Sequence, residues 1–519
     1  MEKPLPKNNP EYFIQLALIA VAAAVILFIW EGHTGFSLWD EGYLWYDVQR
    51  TMMGEVPTRD FMAYDPGRYY WSAAIMSLMG DNGIVALRVA LAIFQAIGLF
   101  IGLVLVSRNA TKSNLAIWLA VALIVLAIWM LPRHKIFDIS ISIAQVGALA
   151  FLVHKPSIRR YFLAGLCVGL FAVFGRNHGL YGLVGGLGVM AYLAYRRESG
   201  PALIKAFAAW SAGIMVGYLP MLIMFVSISG FASAFWDGIH YLLFEFKATN
   251  FPLPIPWPWR VPFGQIPLLD AVRGVLNGLF YIGLIVFGVL SIAWVFIRRS
   301  RKQPVAPQFV AAAFMVLPYA HYAYSRADIN HLAQGIFPFL IGCLVFLSTR
   351  PAKIKWPFAA LLCGASLLVI FPTHPGWKCR VGQNCVDTDV AGDNLRVDVR
   401  TASAVALLKQ LDKKFASGDR SFMVAPFWPG AYAVLKKKSP IWEIYPIKPQ
   451  SLSFQEKEIQ RIEKANPGFI LIIDAPLDGR DELRYRNTHP VIEQYIHDHY
   501  DRMTGIIGDP AFQLYTSRN

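Results

Sequence analysis

Charged side chains are scarce in this sequence, since Asp, Glu, Lys and Arg make up only 16% of its 519 residues. An ordinary soluble protein carries about 25% of these residues, so the low fraction excludes a single soluble domain. Hydrophobic residues account for 55% of the chain. The composition therefore predicts a membrane protein.

Cysteine is also rare, with five residues in the chain. Cys167, Cys343 and Cys363 lie in apolar runs, where we expect them to pack as small hydrophobic side chains. Cys379 and Cys385 instead lie in a polar stretch after the last apolar run. No His or further Cys lies near this pair, which argues against zinc. We predict a disulfide there if the compartment is oxidising.

Eleven apolar runs approach the roughly 20 residues that a membrane-spanning helix needs. The first run has no small-residue cleavage site after it, so we interpret it as a span and not as a signal peptide. The predicted spans are Phe13–Trp30, Ile84–Val106, Leu115–Leu131, Phe137–Val153, Tyr161–Phe174, Leu180–Tyr195, Ala206–Ser227, Val275–Ile297, Phe309–Tyr324, Leu332–Ser348 and Trp356–Phe371.

The net charge of +14 reports the orientation of these spans. Alternate connections, counted from the N-terminus, hold 17 basic and three acidic residues, whereas the opposite side of residues 1–371 holds 11 basic and 13 acidic residues. Because basic residues favour the cytoplasmic side, the N-terminus is predicted to be cytoplasmic and residues 372–519 periplasmic. The charge is a topology signal, so it gives no evidence for a nucleic-acid partner. The single Asn-x-Thr sequence, Asn109–Thr111, faces the cytoplasm in this topology, which favours a bacterial inner membrane.

The predicted architecture is an α-helical polytopic membrane domain over residues 1–371, with long outer loops at 31–83 and 228–274. Within the first loop, Glu41–Met53 and Tyr69–Met79 have the pattern of amphipathic helices that lie on a membrane surface.

Residues 372–519 have an ordinary soluble composition and alternate between helix and strand patterns, which predicts an extramembrane α/β domain with a partly parallel sheet. They contain no glycine-rich phosphate loop. The predicted helices are Thr401–Phe415, Gly430–Lys437, Phe454–Ala465 and Pro490–Tyr500, and the predicted strands are Ser421–Ala425, Ile441–Tyr445 and Phe469–Ile473.

An adjacent acidic pair, Asp40-Glu41, follows the first span within the stretch SLWDEGY. Asp40 is also well placed to cap a helix, which is the structural alternative. The same loop continues with GEVPTRDF at Gly54–Phe61 and YDPGRYYW at Tyr64–Trp71, and Arg88 follows in ALRV.

In this order, these segments resemble the first outer loop of the C-superfamily membrane glycosyltransferases. They are most similar to the branch of protein O-mannosyltransferases and lipid A aminoarabinose transferases. The resemblance implies an inverting transfer of a sugar from a polyprenyl-phosphate donor to an acceptor hydroxyl. We expect the acceptor to be an envelope glycolipid or polysaccharide at the outer face of the membrane.

This chemistry defines the candidate site residues. An attacking hydroxyl must lose its proton, so a carboxylate base is needed, and Asp40 is the candidate with Glu41 in support. The departing lipid phosphate is already charged, so it needs cations or a divalent metal ion. Candidate phosphate contacts lie at several predicted outer turns, namely Arg68, Arg133, His134, Lys135, Arg176, His178 and Arg326. Their alternative role is to contact lipid headgroups from helix ends.

Further candidates surround this set. Asp138 is a candidate active-site acid, because a carboxylate in the first turn of a span is costly without a partner. Asp328 and His331 are weak metal-ligand candidates, and an ion pair between Arg326 and Asp328 is the alternative. Acceptor or lipid contacts are predicted at Tyr64, Trp257, Trp259 and Arg260. For Trp257, Trp259 and Arg260, membrane anchoring is the alternative.

Two other functions remain open at this point. A transporter or flippase for a lipid-linked anionic glycan would use the same cations, but it needs polar residues deep inside the spans. Such residues are sparse, and the main ones are Arg88, Asp138 and Gln145. A lipid-binding scaffold without catalysis predicts that the acidic pair can be replaced without loss.

Overall fold

The computed structural model of the protein describes residues 10–108, 114–196, 200–505 and 507–518. The predicted cytoplasmic sequence Asn109–Thr111 lies outside the described residues. Several of the counted cytoplasmic charges also lie outside them, namely Glu2, Lys3, Lys7, Lys112, Arg197 and Glu198.

The described residues form mostly helices, with short strands in the last quarter of the chain. The helices are α1 (Pro10–Glu31), α2 (Asp40–Met52), α3 (Gly67–Met79), α4 (Ile84–Ser107), α5 (Leu115–Ile128), α6 (Ile136–His154), α7 (Ile158–Phe174), α8 (Arg176–Ala194), α9 (Leu203–Gly217), α10 (Leu219–Ser227), α11 (Phe231–His240), α12 (Leu268–Ser300), α13 (Pro307–Ser325), α14 (Ile329–Gly335), α15 (Phe337–Ser348), α16 (Ala352–Ile370), α17 (Pro375–Val381), α18 (Val399–Phe415), α19 (Gly430–Val434), α20 (Leu452–Ala465), α21 (Tyr485–Thr488) and α22 (Pro490–His499). The strands are β1 (Cys385–Val390), β2 (Asp393–Asp398), β3 (Met423–Ala425), β4 (Phe469–Ile473), β5 (Tyr500–Met503) and β6 (Phe512–Ser517).

The eleven predicted spans each coincide with one helix or with two helices joined by a bend. Among the described residues, five helical segments are long and apolar enough to cross a membrane: Pro10–Glu31, Ile84–Ser107, Arg133–His154, Leu268–Ser300 and Ala352–Thr373. Two bent pairs, α9 with α10 (52°) and α14 with α15 (56°), raise that number to at most seven. The polytopic helical architecture is therefore confirmed, while the count of eleven stays a prediction.

The chain divides into two compact units that do not follow its sequence order. The helical unit comprises residues 1–30, 91–227 and 249–378, and the mixed unit comprises residues 31–90, 228–248 and 379–519. The region that follows the first span thus belongs to the same unit as the C-terminal segment. A boundary between functional domains at 371/372 stays a prediction.

Small residues bring two helices of the helical unit into close contact. Gly165 and Gly169 on α7 face Gly213 and Gly217 on α9. A Cβ atom added to Gly165 would lie 2.0 Å from the carbonyl oxygen of Trp210, so the backbones touch where the side chains are missing. This is the packing that small residues permit between membrane helices.

The C-terminal sheet of the mixed unit has four strands in the order β3-β4-β6-β5. Strands β3 and β4 are parallel, and the other pairs are antiparallel, so the expected partly parallel sheet is present. The predicted strand at Ile441–Tyr445 was wrong. The backbone N–H groups of Trp442 and Glu443 donate to the Glu458 carboxylate, at 2.9 and 3.5 Å, instead of to a neighbouring strand.

A second, two-stranded sheet lies where no strand was predicted. Strands β1 and β2 form an antiparallel hairpin in which Cys385 pairs with Asp398, and a disulfide joins Cys379 to Cys385 at its start. The backbone of Arg396 bonds to the segment after α1, donating to the His33 carbonyl and accepting from the Gly35 N–H, both at 2.8 Å.

Helix α2 is enclosed by protein on all sides. Every residue from Glu41 to Thr51 is buried, so the prediction of a helix lying on the membrane surface was wrong here. Helix α2 packs against α3 and α19. A Cβ atom on Gly42 would lie only 2.6 Å from the Cα of Gly430. The buried Tyr46 hydroxyl accepts a hydrogen bond from the Ser439 N–H at 2.6 Å.

Candidate active site

Asp40 opens α2 and is exposed, whereas its neighbour Glu41 is buried. The preceding residue, Trp39, occupies the N-cap position and makes no capping bond through its side chain. A carboxylate in the first turn of a helix is stabilised by the positive end of the helix dipole. Of the acidic pair, Asp40 is therefore exposed to solvent and Glu41 is buried.

Arg88 fixes the buried carboxylate. Its Nε and Nη2 atoms donate to the two oxygens of Glu41, each at 2.9 Å, and both side chains are almost fully buried. The same guanidinium donates to the Gly32 carbonyl at 2.8 Å and to the Gly35 carbonyl at 2.6 Å. Arg88 therefore joins α4 to the start of α2 and to the segment that follows α1. This arrangement suits Glu41 to positioning the site, while Asp40 faces outward.

The other candidates of the first loop lie close together. The Arg68 guanidinium lies 5.1 Å from the centre of the Tyr64 ring, and the Tyr64 backbone N–H donates to the Tyr69 hydroxyl at 2.8 Å. Arg68 is buried, whereas Tyr64 is 43% exposed. Of the two, Tyr64 therefore offers the larger surface to a substrate.

The helical unit contains a buried acid cluster around Asp138. The Asp138 carboxylate bonds to Nε2 of His178 at 3.0 Å and accepts from the Tyr322 hydroxyl at 3.1 Å. The other ring nitrogen of His178, Nδ1, forms a hydrogen bond with the Tyr319 hydroxyl at 2.9 Å. Both nitrogens of this buried ring are thus engaged, which suits His178 to holding Asp138 in place and leaves no ring atom for a phosphate. Sequence reasoning missed Tyr319 and Tyr322, because buried aromatic residues in a span carry no distinctive pattern.

Several predicted cations lie near this cluster in the fold. Arg133, His134 and Lys135 form a half-exposed helical turn just before α6. Arg176 begins α8, two residues before His178. Because the Asp138–His178 bond joins the first turns of α6 and α8, these cations lie at the joined helix ends.

Arg326 and His331 both bind Asp328. The Arg326 Nε donates to one carboxylate oxygen at 3.0 Å, and the His331 Nδ1 bonds to the other at 2.9 Å. The second nitrogen of His331 bonds to the Asn250 amide at 2.8 Å. Among the described residues, no group of three potential ligands surrounds a metal position. The geometry favours the predicted ion-pair alternative for these residues.

The proline-rich loop presents two aromatic rings side by side. Trp257 and Trp259 stack with ring centres 5.2 Å apart and planes 8° apart. Trp259 is 70% exposed and Arg260 is also exposed. This surface could contact either a lipid chain or a sugar.

Known structures resemble this chain over almost its whole length. ArnT from Cupriavidus metallidurans, bound to undecaprenyl phosphate, matches with a TM-score of 0.57 and 14% identity over 96% of this chain and 97% of ArnT. The archaeal oligosaccharyltransferase AglB from Archaeoglobus fulgidus, in complex with an inhibitory peptide and a dolichol-phosphate, matches with a TM-score of 0.51 and 12% identity, over 98% of this chain and 74% of AglB.

The chain has the fold of the C-superfamily membrane glycosyltransferases. The fold expected from the first outer loop is thereby confirmed. No family model and no curated protein sequence matches the chain. The likeness to ArnT and AglB is a likeness of fold.

Proposed function

We propose that the protein is an inverting glycosyltransferase that moves a sugar from a polyprenyl-phosphate donor to a hydroxyl of an envelope glycolipid or polysaccharide. The reaction takes place at the outer face of a bacterial inner membrane, with the N-terminus cytoplasmic and residues 372–519 periplasmic. The observation that carries the proposal is the exposed Asp40 at the start of a rigidly held helix, in a fold shared with ArnT. The ArnT and AglB structures contain undecaprenyl phosphate and dolichol-phosphate, respectively.

Asp40 is the proposed general base. Its carboxylate takes the proton from the acceptor hydroxyl as the oxygen attacks the anomeric carbon, and the bond from that carbon to the phosphate oxygen breaks. The polyprenyl phosphate leaves with the electron pair of that bond. Base catalysis of this kind contributes roughly 10²–10⁴-fold to the rate.

The cations near the ends of α6 and α8 are the proposed donor contacts. Arg133, Lys135 and Arg176 carry the positive charge, while Asp138 and His178 hold the ends of α6 and α8 together. Arginine pairs with phosphate oxygens through two parallel hydrogen bonds. Such contacts stabilise the negative charge of the departing phosphate.

Asp40→Asn tests the assignment, because it replaces the base with a neutral group of similar size. A strain that lacks the protein is complemented with each variant, and its envelope glycans are analysed by mass spectrometry. We expect Asp40→Asn to abolish the added sugar while the protein accumulates normally. Asp237→Asn is the matched control, because Asp237 is also exposed and in the mixed unit. Full modification by the Asp40→Asn strain would refute the base assignment and favour a flippase or a lipid-binding scaffold.

A further inference from the structure

Beside Asp40, a single indole ring is fixed with part of its surface open to solvent. The Trp39 ring stacks on the ring of Phe427, with centres 4.3 Å apart and planes 14° apart. Phe427 is buried, while Trp39 is 37% exposed. One face of the indole is thus covered by Phe427, while the residue as a whole keeps more than a third of its surface open to solvent.

We propose that Trp39 is the platform on which a sugar ring of the acceptor stacks while its hydroxyl is activated by Asp40. The inference rests on the proposed function and names the acceptor class at that site: a carbohydrate whose attacking hydroxyl belongs to a pyranose or furanose ring.

The backbone around Trp39 is held on both sides. The Gly430 N–H donates to the Leu38 carbonyl at 2.9 Å, and the backbones of Gly42 and Gly430 touch. Phe427 itself lies just after β3, at the end where the parallel strands β3 and β4 present their carboxyl termini. Ligands of α/β folds commonly bind at this end of the sheet. The indole is therefore preorganised, so a ligand would not have to order it.

The chemistry favours a sugar over an apolar ligand. A sugar ring has a face of C–H groups that packs on an aromatic ring, while its hydroxyls point outward from the ring edge. Asp40 directly follows Trp39 in the chain and is itself exposed, so the proposed base is the neighbour of the platform in sequence. An acyl chain on the same surface would place apolar groups against an exposed charge, which is unfavourable. The ring belongs to the acceptor, because the base removes a proton from the acceptor.

Binding of simple glycosides provides the test. The full-length protein in detergent is titrated with methyl glucoside, methyl mannoside and methyl glucosaminide, and saturation-transfer NMR measures their contact with the protein. We expect Trp39→Ala to remove most of the saturation transfer to the ring C–H protons, and Trp39→Phe to retain it. Trp377→Ala is the matched control. Trp377 is also 37% exposed, and its ring centre lies 4.8 Å from that of a phenylalanine, Phe371. Only variants that keep the wild-type unfolding temperature are compared.

The possible outcomes separate this inference from the proposed function. Equal saturation transfer in wild type and Trp39→Ala, or none in wild type, would overturn the platform. In a parallel sample with a short-chain phospholipid added, saturation transfer that depends on Trp39 but goes to the acyl chains and not to the glycosides would also overturn it, in favour of a lipid contact. Asp40→Asn should bind glycosides normally while losing transfer. If Asp40→Asn instead keeps transfer, the proposed base fails, whereas glycoside binding that depends on Trp39 still supports Trp39 as a sugar-binding residue.

Discussion

Arg88→Met should be among the most damaging single substitutions in the mixed unit. It removes both bonds to Glu41 and both bonds to the Gly32 and Gly35 carbonyls. Glu41 would remain 4% exposed with its positive partner gone. Removing one member of a buried ion pair costs about 3–5 kcal/mol, because the other charge stays buried without compensation. We therefore expect the free energy of unfolding of the mixed unit to decrease by about 3–5 kcal/mol.

The loss should be visible as a lower unfolding temperature of the purified protein. A unit of about 220 residues loses roughly 2–4 °C for each kcal/mol, so we expect a decrease of about 10 °C. Sugar transfer should fall too, because Asp40 is the residue next to the displaced Glu41. Arg400→Met is the control, since Arg400 is exposed on α18 and surface changes usually alter stability by less than about 0.5 kcal/mol.

The double variant Arg88→Met/Glu41→Met tests whether Arg88 and Glu41 stabilise the fold as a pair. Replacing both members of a buried pair by apolar side chains is often close to neutral, so the double variant should be more stable than Arg88→Met alone. The two single losses should therefore not add. A double variant that loses the sum of the two single effects would show that Arg88 and Glu41 act independently, which would refute the assignment of Arg88 as the residue that positions Glu41.

Two further predictions concern buried polar groups. Burial raises the pKa of Glu458 from 4.5 to about 7, against the opposing effect of Arg461. Since the folded state holds this proton more tightly, the stabilisation is complete below about pH 4.5 and is lost as the pH rises through about 7. Thermal unfolding measured between pH 5 and 8 should show that the free energy of unfolding falls by about 3 kcal/mol. Glu458→Gln should abolish this pH dependence. Glu456→Gln, at an exposed position of the same helix, should preserve it. His178→Ala should cost about 1–3 kcal/mol, because it leaves the buried Asp138 carboxylate without one of its partners, and an unchanged unfolding temperature would contradict that role.

The helices of the fold were largely predictable, because a lipid environment forces an apolar run to satisfy its backbone internally. Strand β4 begins and ends at the predicted residues, because Phe469–Ile473 is a continuous apolar run bounded by Gly468 and Asp474. The β1–β2 hairpin was not predicted. Its strands are mostly polar, with Asp387, Thr388 and Asp389 in succession in β1, and part of its pairing lies with residues 33–35, far away in the sequence.

The candidate site was predictable in residue type but not in geometry. The acidic pair at 40 and 41 stands out in the sequence, yet which carboxylate faces solvent depends on Arg88, 47 residues further on. The partner of Asp138 is likewise set by the fold, because His178 reaches it from another helix. Local patterns carry no information about such distant contacts, so only the three-dimensional structure shows that Asp40 is exposed and Glu41 is buried.

The C-terminal segment explains how an exposed base can be held rigidly at the end of a loop. Strand β2 bonds to residues 33–35 before Asp40, while Gly430 bonds to Leu38 and Phe427 stacks on Trp39. Contacts from residues 379–519 thus fix the chain on the N-terminal side of Asp40, and α19 packs against the helix that follows it. A base must be placed to within a fraction of an ångström to be effective, and a surface loop alone would not achieve this. Under the proposed function, the C-terminal segment is part of the framework that positions the base, and a chain that ends before Cys379 would lack these contacts.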